Sequence, residues 1–118
     1  MVERKHKSYS RSLGERARCR YEITRTWLVV EEFAAQLEYD TTGDNGWVPV
    51  YRCDTAHGEV HVHVFGPGEE RRVSMSSTFS AETGYSDALS TAQQEIGQRW
   101  ECHIERFADE DERDQQES

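Results

Sequence analysis

No apolar run in the chain approaches the roughly 18 residues needed to span a bilayer, and no hydrophobic stretch follows the charged N-terminus as one would in a secretory signal. The expectation is a protein that is neither exported nor membrane-spanning, with a cytoplasmic location. Cysteine is sparse and odd in number. Cys19, Cys53 and Cys102 have no close pairing, which argues against a disulfide framework and for a reducing interior. Cys-x-x-Cys and His-Glu-x-x-His spacings are missing, and no internal repeat is present. Lysine is nearly absent: Lys5 and Lys7 are the only two among 14 basic residues, set against 23 acidic ones. That balance resembles a protein from a salt-loving organism, in which surface self-repulsion is screened.

A second core of stable size would need about fifty further residues of apolar pattern, so 118 residues imply one core. Charge is distributed unevenly along the chain. Residues 1–20 hold seven basic side chains against Glu3 and Glu15, while residues 108–118 hold six acidic ones against Arg113. Both ends read as solvated tails, a basic flexible arm over 1–20 and an acidic disordered tail over 108–118, with one α+β domain over 21–107 between them. The middle remains strongly acidic and should repel nucleic acid except at a local basic patch.

Within the middle, Trp27, Val29, Phe33, Ala35, Leu37 and Tyr39 recur at every second position, broken once by Glu31, as a half-buried strand requires. Gly43 and Asp44-Asn45-Gly46 supply a turn, and Trp47 to Cys53 resumes a β-type run, giving a hairpin. Pro49 lacks an amide proton, so its strand must lie at an edge or carry a bulge. An edge there could be covered by a second copy of the chain, a homodimer. Val60, Val62 and Val64 then alternate with His61, His63 and Phe65 in a third strand. Gly66-Pro67-Gly68 turns the chain into a weaker fourth strand over Arg71 to Ser76. Tyr85, Leu89, Ala92, Ile96, Trp100, Ile104 and Phe107 advance by three or four, the mark of an amphipathic helix, with Ser86 at its start. The expected fold is α+β: an antiparallel meander of about four strands packed by one C-terminal helix.

Chemistry concentrates in Arg52 to His63. Arg52, Asp54, His57, His61 and His63 gather a guanidinium, a carboxylate and three imidazoles around one turn, and alternation puts His61 and His63 on one face, roughly 7 Å apart. Four readings compete. His57, His61 and His63 could hold a divalent transition metal, since His-x-His on a strand points two imidazoles at one ion. Two imidazoles with Arg52 could instead cleave a phosphodiester without a metal, the guanidinium steadying charge on phosphate. The same face, with Trp47, Tyr51 and Phe65, could dock a partner protein. Alternatively Asp54, His57 and Gly58 only shape the turn, and the histidines are tolerated polar residues. The cysteines read as buried or incidental thiols rather than nucleophiles.

Trp47-Val48-Pro49-Val50, running into Arg52-Cys53-Asp54-Thr55-Ala56-His57-Gly58 and His61, resembles an uncharacterised family of small prokaryotic proteins with the pattern W-x-P-V-x-R-Y-D-T-A-H-G-x-x-H. The helix of that family begins like Tyr85-Ser86-Asp87-Ala88-Leu89. This chain departs from the pattern at Cys53, where it has tyrosine, and at His63, where aspartate is frequent. Arg52, Asp54, Ala56 and the following histidines are also similar to the Arg-Tyr-Asp-Asn-Ala segment of TumE-type toxins. That resemblance implies a ribonuclease-like toxin acting on RNA and paired with an antitoxin-like protein partner.

Overall fold

The computed structural model describes residues 3–74 and 84–117. It is an α+β arrangement in which one antiparallel sheet is packed against one C-terminal helix, and the sheet has six strands, not about four. In chain order these are β1 (Arg4–Gly14), β2 (Ala17–Thr26), β3 (Val29–Asp40), β4 (Trp47–Asp54), β5 (His61–Gly66) and β6 (Glu69–Ser74), followed by α1 (Ser86–Glu117). Each strand pairs with the next, so the sheet is a meander in sequence order. No helix among the described residues is long and apolar enough to cross a membrane.

The two additional strands come from the basic N-terminal region. β2 alternates buried Ala17, Cys19, Tyr21 and Ile23 with Arg18, Arg20 and Glu22, a period of two that its arginine content obscures. β1 has no apolar face of its own. It is held by its ladder to β2, which runs from Arg4 opposite Thr26 to Gly14 opposite Ala17. Trp100 of α1 lies against the turn joining them. A Cβ at Gly14 would stand 3.2 Å from the indole, which favours glycine there.

The helix-side face collects Cys19, Tyr21 and Ile23 of β2, Phe33, Ala35 and Leu37 of β3, and Tyr51 and Cys53 of β4 in one apolar layer. Tyr85, just before α1, and Ala88, Leu89, Ala92, Ile96 and Phe107 of α1 close it, with Trp100 and Ile104 at its margin. The helix continues through the acidic segment to Glu117. Arg106 anchors it by donating to the backbone carbonyls of Phe65 at 3.0 Å and Val50 at 3.2 Å.

Pro49 sits at a bulge: Leu37 pairs with Tyr51 and Glu38 with Pro49, leaving Val50 as the extra residue. Because β4 is interior, Pro49 creates no edge for a second copy to cover; the edges are β1 and β6. β6 ends at Ser74, and the remainder of the expected fourth strand, Met75 and Ser76, lies outside the described residues.

The loop between β3 and β4 is organised by the buried carboxylate of Asp40. It accepts backbone N–H groups from Gly46 at 2.8 Å, Gly43 at 3.1 Å and Asn45 at 3.1 Å. Burial opposes the charge, but these donors hold the carboxyl below the usual range. The glycine-rich sequence is thus an anion-centred turn rather than a slack connection.

Candidate functional site

On the sheet face turned away from α1, register sets two polar rows side by side. One runs Arg20, Gln36, Arg52, His63 and the next Glu22, Ala34, Asp54, His61 across β2 to β5. Ala34 is the smallest member, and the missing side-chain volume leaves a cleft over it. The larger lobe, about 490 Å³, is lined by His6, Glu22, Ala34, Arg52, Asp54 and Thr55 among others. A smaller lobe of about 180 Å³ is lined by Ser8, Arg20, Glu22, Ala34, Gln36 and Arg52. Arg52, Glu22 and Ala34 border both.

Arg52 is fixed from two sides. Its Nε donates to Asp54 Oδ2 at 2.7 Å and a terminal nitrogen donates to Gln36 Oε1 at 3.1 Å. Asp54, only 6% exposed, also accepts the Ala56 amide at Oδ1, 3.3 Å away, and faces His63 Nε2 at 3.4 Å. His63 Nδ1 contacts Glu70 Oε1 on β6. Both imidazole contacts can be N–H donations together only when the ring carries both protons.

Burial raises the Asp54 carboxyl, but the Arg52 hydrogen bond, the Ala56 amide and the charges of Arg52 and His63 outweigh it, holding the group below the usual carboxylate range. A depressed folded value contributes stability above the unfolded value, about 4, that is lost as pH falls through the folded one. Asp54→Asn is therefore expected to cost about 2 kcal/mol at neutral pH. Urea unfolding across pH should show that deficit constant above about pH 5 and shrinking below about 4. A deficit independent of pH would mean that the carboxylate charge is not what stabilises the turn.

The expected site residues divide. Arg52, Asp54 and His63 are brought together. His61 shares their face, its ring centroid 6.3 Å from that of His63, but it is 2% exposed with Nε2 3.5 Å from a Glu59 carboxylate oxygen. His61 and His63 do share one face, as alternation implies, but one ring is buried and the other stands behind Asp54; neither lines the cleft. His57 is the middle residue of a single 3-10 turn, Ala56–Gly58, and its side chain lies outside the described residues. Among the described residues no group of three or more His, Cys, Asp or Glu side chains is disposed to hold a metal ion.

The turn itself is tied into the fold. Thr55 exchanges backbone and hydroxyl hydrogen bonds with Phe33, and the Tyr85 hydroxyl donates to the Gly58 carbonyl at 2.7 Å. The segments Asp54-Thr55-Ala56-His57-Gly58 and Tyr85-Ser86-Asp87, distant in sequence, meet there. Cys53 and Cys19 are buried under the sheet, and burial pushes their thiols up to about 12 and about 11, which disfavours the nucleophilic thiolate.

Arg20, Gln36, His6 and Glu70 join the site without having been candidates from sequence. Arg20 and Gln36 are signalled by the polar phase of β2 and β3. Glu70 becomes visible only once the register across Gly66-Pro67-Gly68 is known.

No curated protein and no solved structure matches the chain. A family match covers residues 2–113, so β1 and β2 belong to the shared unit as fully as Arg52 to His63 do. The expected membership of an uncharacterised family holds, and the chain belongs to the family described as Domain of unknown function (DUF7718).

Proposed function

We propose that the open sheet face is a phosphodiester-acting site that takes RNA. The observation that carries this reading is the small lobe in which Arg20 and Arg52 border one depression beside the Asp54–His63 pair. Two guanidiniums around a space of phosphate size can bind the anion and stabilise charge developing on it. Arg52 is pre-positioned by Asp54 and Gln36, so little side-chain entropy is lost on binding.

In the reaction, a base takes the proton of a ribose 2′-hydroxyl and the oxygen attacks phosphorus. An acid protonates the departing 5′-oxygen, leaving a 2′,3′-cyclic phosphate. We assign these roles to Asp54, which lines the cleft with His63 behind it, and to His6, on the β1 wall of the cleft. Glu22 borders both lobes, but the larger one also carries Glu31 and Glu32, paired with Arg4, and suits sugar or base rather than phosphate. The likeness of Arg52, Asp54 and Ala56 to TumE-type toxins points the same way.

A second reading makes Arg52, Asp54 and His63 a structural clip in a non-catalytic binding module. It is favoured by the complete hydrogen bonding of buried side-chain polar atoms among the described residues. The two separate on one experiment with unstructured, end-labelled RNA. The catalytic reading expects cyclic-phosphate products, lost about a hundredfold in His63→Ala with a melting temperature within a few degrees of the parent. No cleavage by the parent chain, together with a large melting loss in His63→Ala, would establish the clip.

A further inference from the structure

β1 and β2 together, residues 4–26, carry eight basic side chains against two acidic ones, in a chain of net charge −9. On their helix-side face, beyond the reach of α1, a groove of about 470 Å³ is lined by Lys5, Lys7, Ile23, Arg25 and Trp27, with Glu3 and His6 at its border. No ion pair joins Lys5, Lys7 or Arg25 to a carboxylate among the described residues. Lys7 lies over the Tyr9 ring, 5.0 Å from its centroid, and Tyr9 stacks on Tyr21 at 5.0 Å. At the β2–β3 turn Trp27 is 76% exposed and Leu28 89%.

Trp27 also has φ of 58°, a left-handed conformation that bulky residues avoid. An exposed, strained tryptophan beside cations that make no ion pair among the described residues has no packing explanation, and strain of this kind persists where the surrounding structure imposes it. Cations at alternate positions of an edge strand, flanked by the rings of Tyr9 at one end and Trp27 at the other, match what a single-stranded polynucleotide needs: charge along its backbone and flat surfaces for its bases. His6 lines both this groove and the Arg52 cleft, so the two meet over the edge of β1.

We infer that this face docks single-stranded RNA, with phosphates at Lys5, Lys7 and Arg25 and a base stacked on Trp27, delivering the strand over β1 to the Arg52 cleft. The RNA identity rests on the function proposed above; the groove itself is separate from that site. A lipid surface, which the exposed Trp27-Leu28 tip would also suit, is the less fitting occupant because Lys5 and Lys7 extend as a line along β1 rather than ringing that tip.

The test is anisotropy of a fluorescein-labelled, uncleavable 2′-O-methyl oligouridine binding the full chain at several salt concentrations. Lys5→Ala/Lys7→Ala is expected to weaken binding at least tenfold and to flatten the salt slope by about 1.4, two phosphate contacts at roughly 0.7 each. Trp27→Gly, which suits the positive φ and so should not unfold the chain, is expected to weaken binding about tenfold. Equal binding by parent and groove variants overturns the inference while leaving the cleft reading to the cleavage assay. Absence of binding by the parent, or binding of anionic vesicles in its place, overturns it as well. Loss of binding in the groove variants from a parent that binds but does not cleave sustains the groove and removes the catalytic reading.

Discussion

A chain shortened to begin at Tyr21 is expected to lose its cooperative unfolding transition altogether. The deletion removes β1 and, from β2, the buried side chains of Ala17 and Cys19. It strips the ladder partners of Gln36, Leu37, Glu38 and Tyr39 from β3, at the centre of the apolar layer. Each buried backbone group left unpaired costs about 1 to 3 kcal/mol, and several together rival the 5 to 15 kcal/mol that typically holds a domain of this size. Circular dichroism with thermal melting decides it. A native-like melt of the shortened chain would restore the reading of residues 1–20 as a dispensable arm.

That expectation rests on the part of the fold least legible in the sequence. β3, β4, β5 and α1 announce themselves through alternating or helical apolar spacing, and the bulge at Pro49 follows from its missing amide proton. β2 carries the same alternation, but charge counting over residues 1–20 cut across it at Arg20. β1 has little alternation to read, because it is exposed except at half-buried Tyr9 and Leu13 and is fixed mainly by the ladder to β2. The acidic end of α1 is hidden similarly: Glu110 is positioned by Arg106 one turn earlier and by Arg71 of β6, a partner distant in sequence.

For the site, sequence spacing gathers Arg52, Asp54 and the histidines around one turn and puts His61 and His63 on one face, because alternation along a ribbon is a local property. It could not supply Gln36 or Arg20, which join through register with neighbouring strands, nor show that His61 is buried.

Arg52→Ala is expected to have the largest effect among substitutions in the cleft, acting on stability and chemistry together. Asp54 would lose its 2.7 Å donor while remaining buried, and Gln36 would lose the 3.1 Å bond. The cost should be about 2 kcal/mol, discounted from the full buried-pair value because the Arg52 side chain is 34% exposed. Without the guanidinium, the Asp54 carboxyl keeps the Ala56 amide and His63 but loses its Arg52 hydrogen bond and charge, so it rises in the folded state relative to the parent. The deficit should then be full at neutral pH and shrink as the carboxyl protonates, so unfolding at pH 7 and pH 4 must differ in that direction. RNA cleavage should fall by about two to three orders of magnitude, the usual cost of removing one donor to a developing oxyanion. Arg52→Lys should recover part of the stability and little of the rate, since an ammonium cannot span Asp54, Gln36 and phosphate at once. Unchanged cleavage in Arg52→Ala would remove the guanidinium from the chemistry.

The central claim is that phosphate sits between Arg20 and Arg52. The most direct measurement is nuclear magnetic resonance of the arginine Nε–Hε pairs during titration with an uncleavable dinucleotide bearing a 2′-methoxy group. The expected result is that the Arg20 and Arg52 signals shift together along one saturating curve, with the phosphorus resonance moving in parallel. Shifts confined to other arginines, or an Arg52 signal that stays in place while the dinucleotide binds elsewhere, would contradict it.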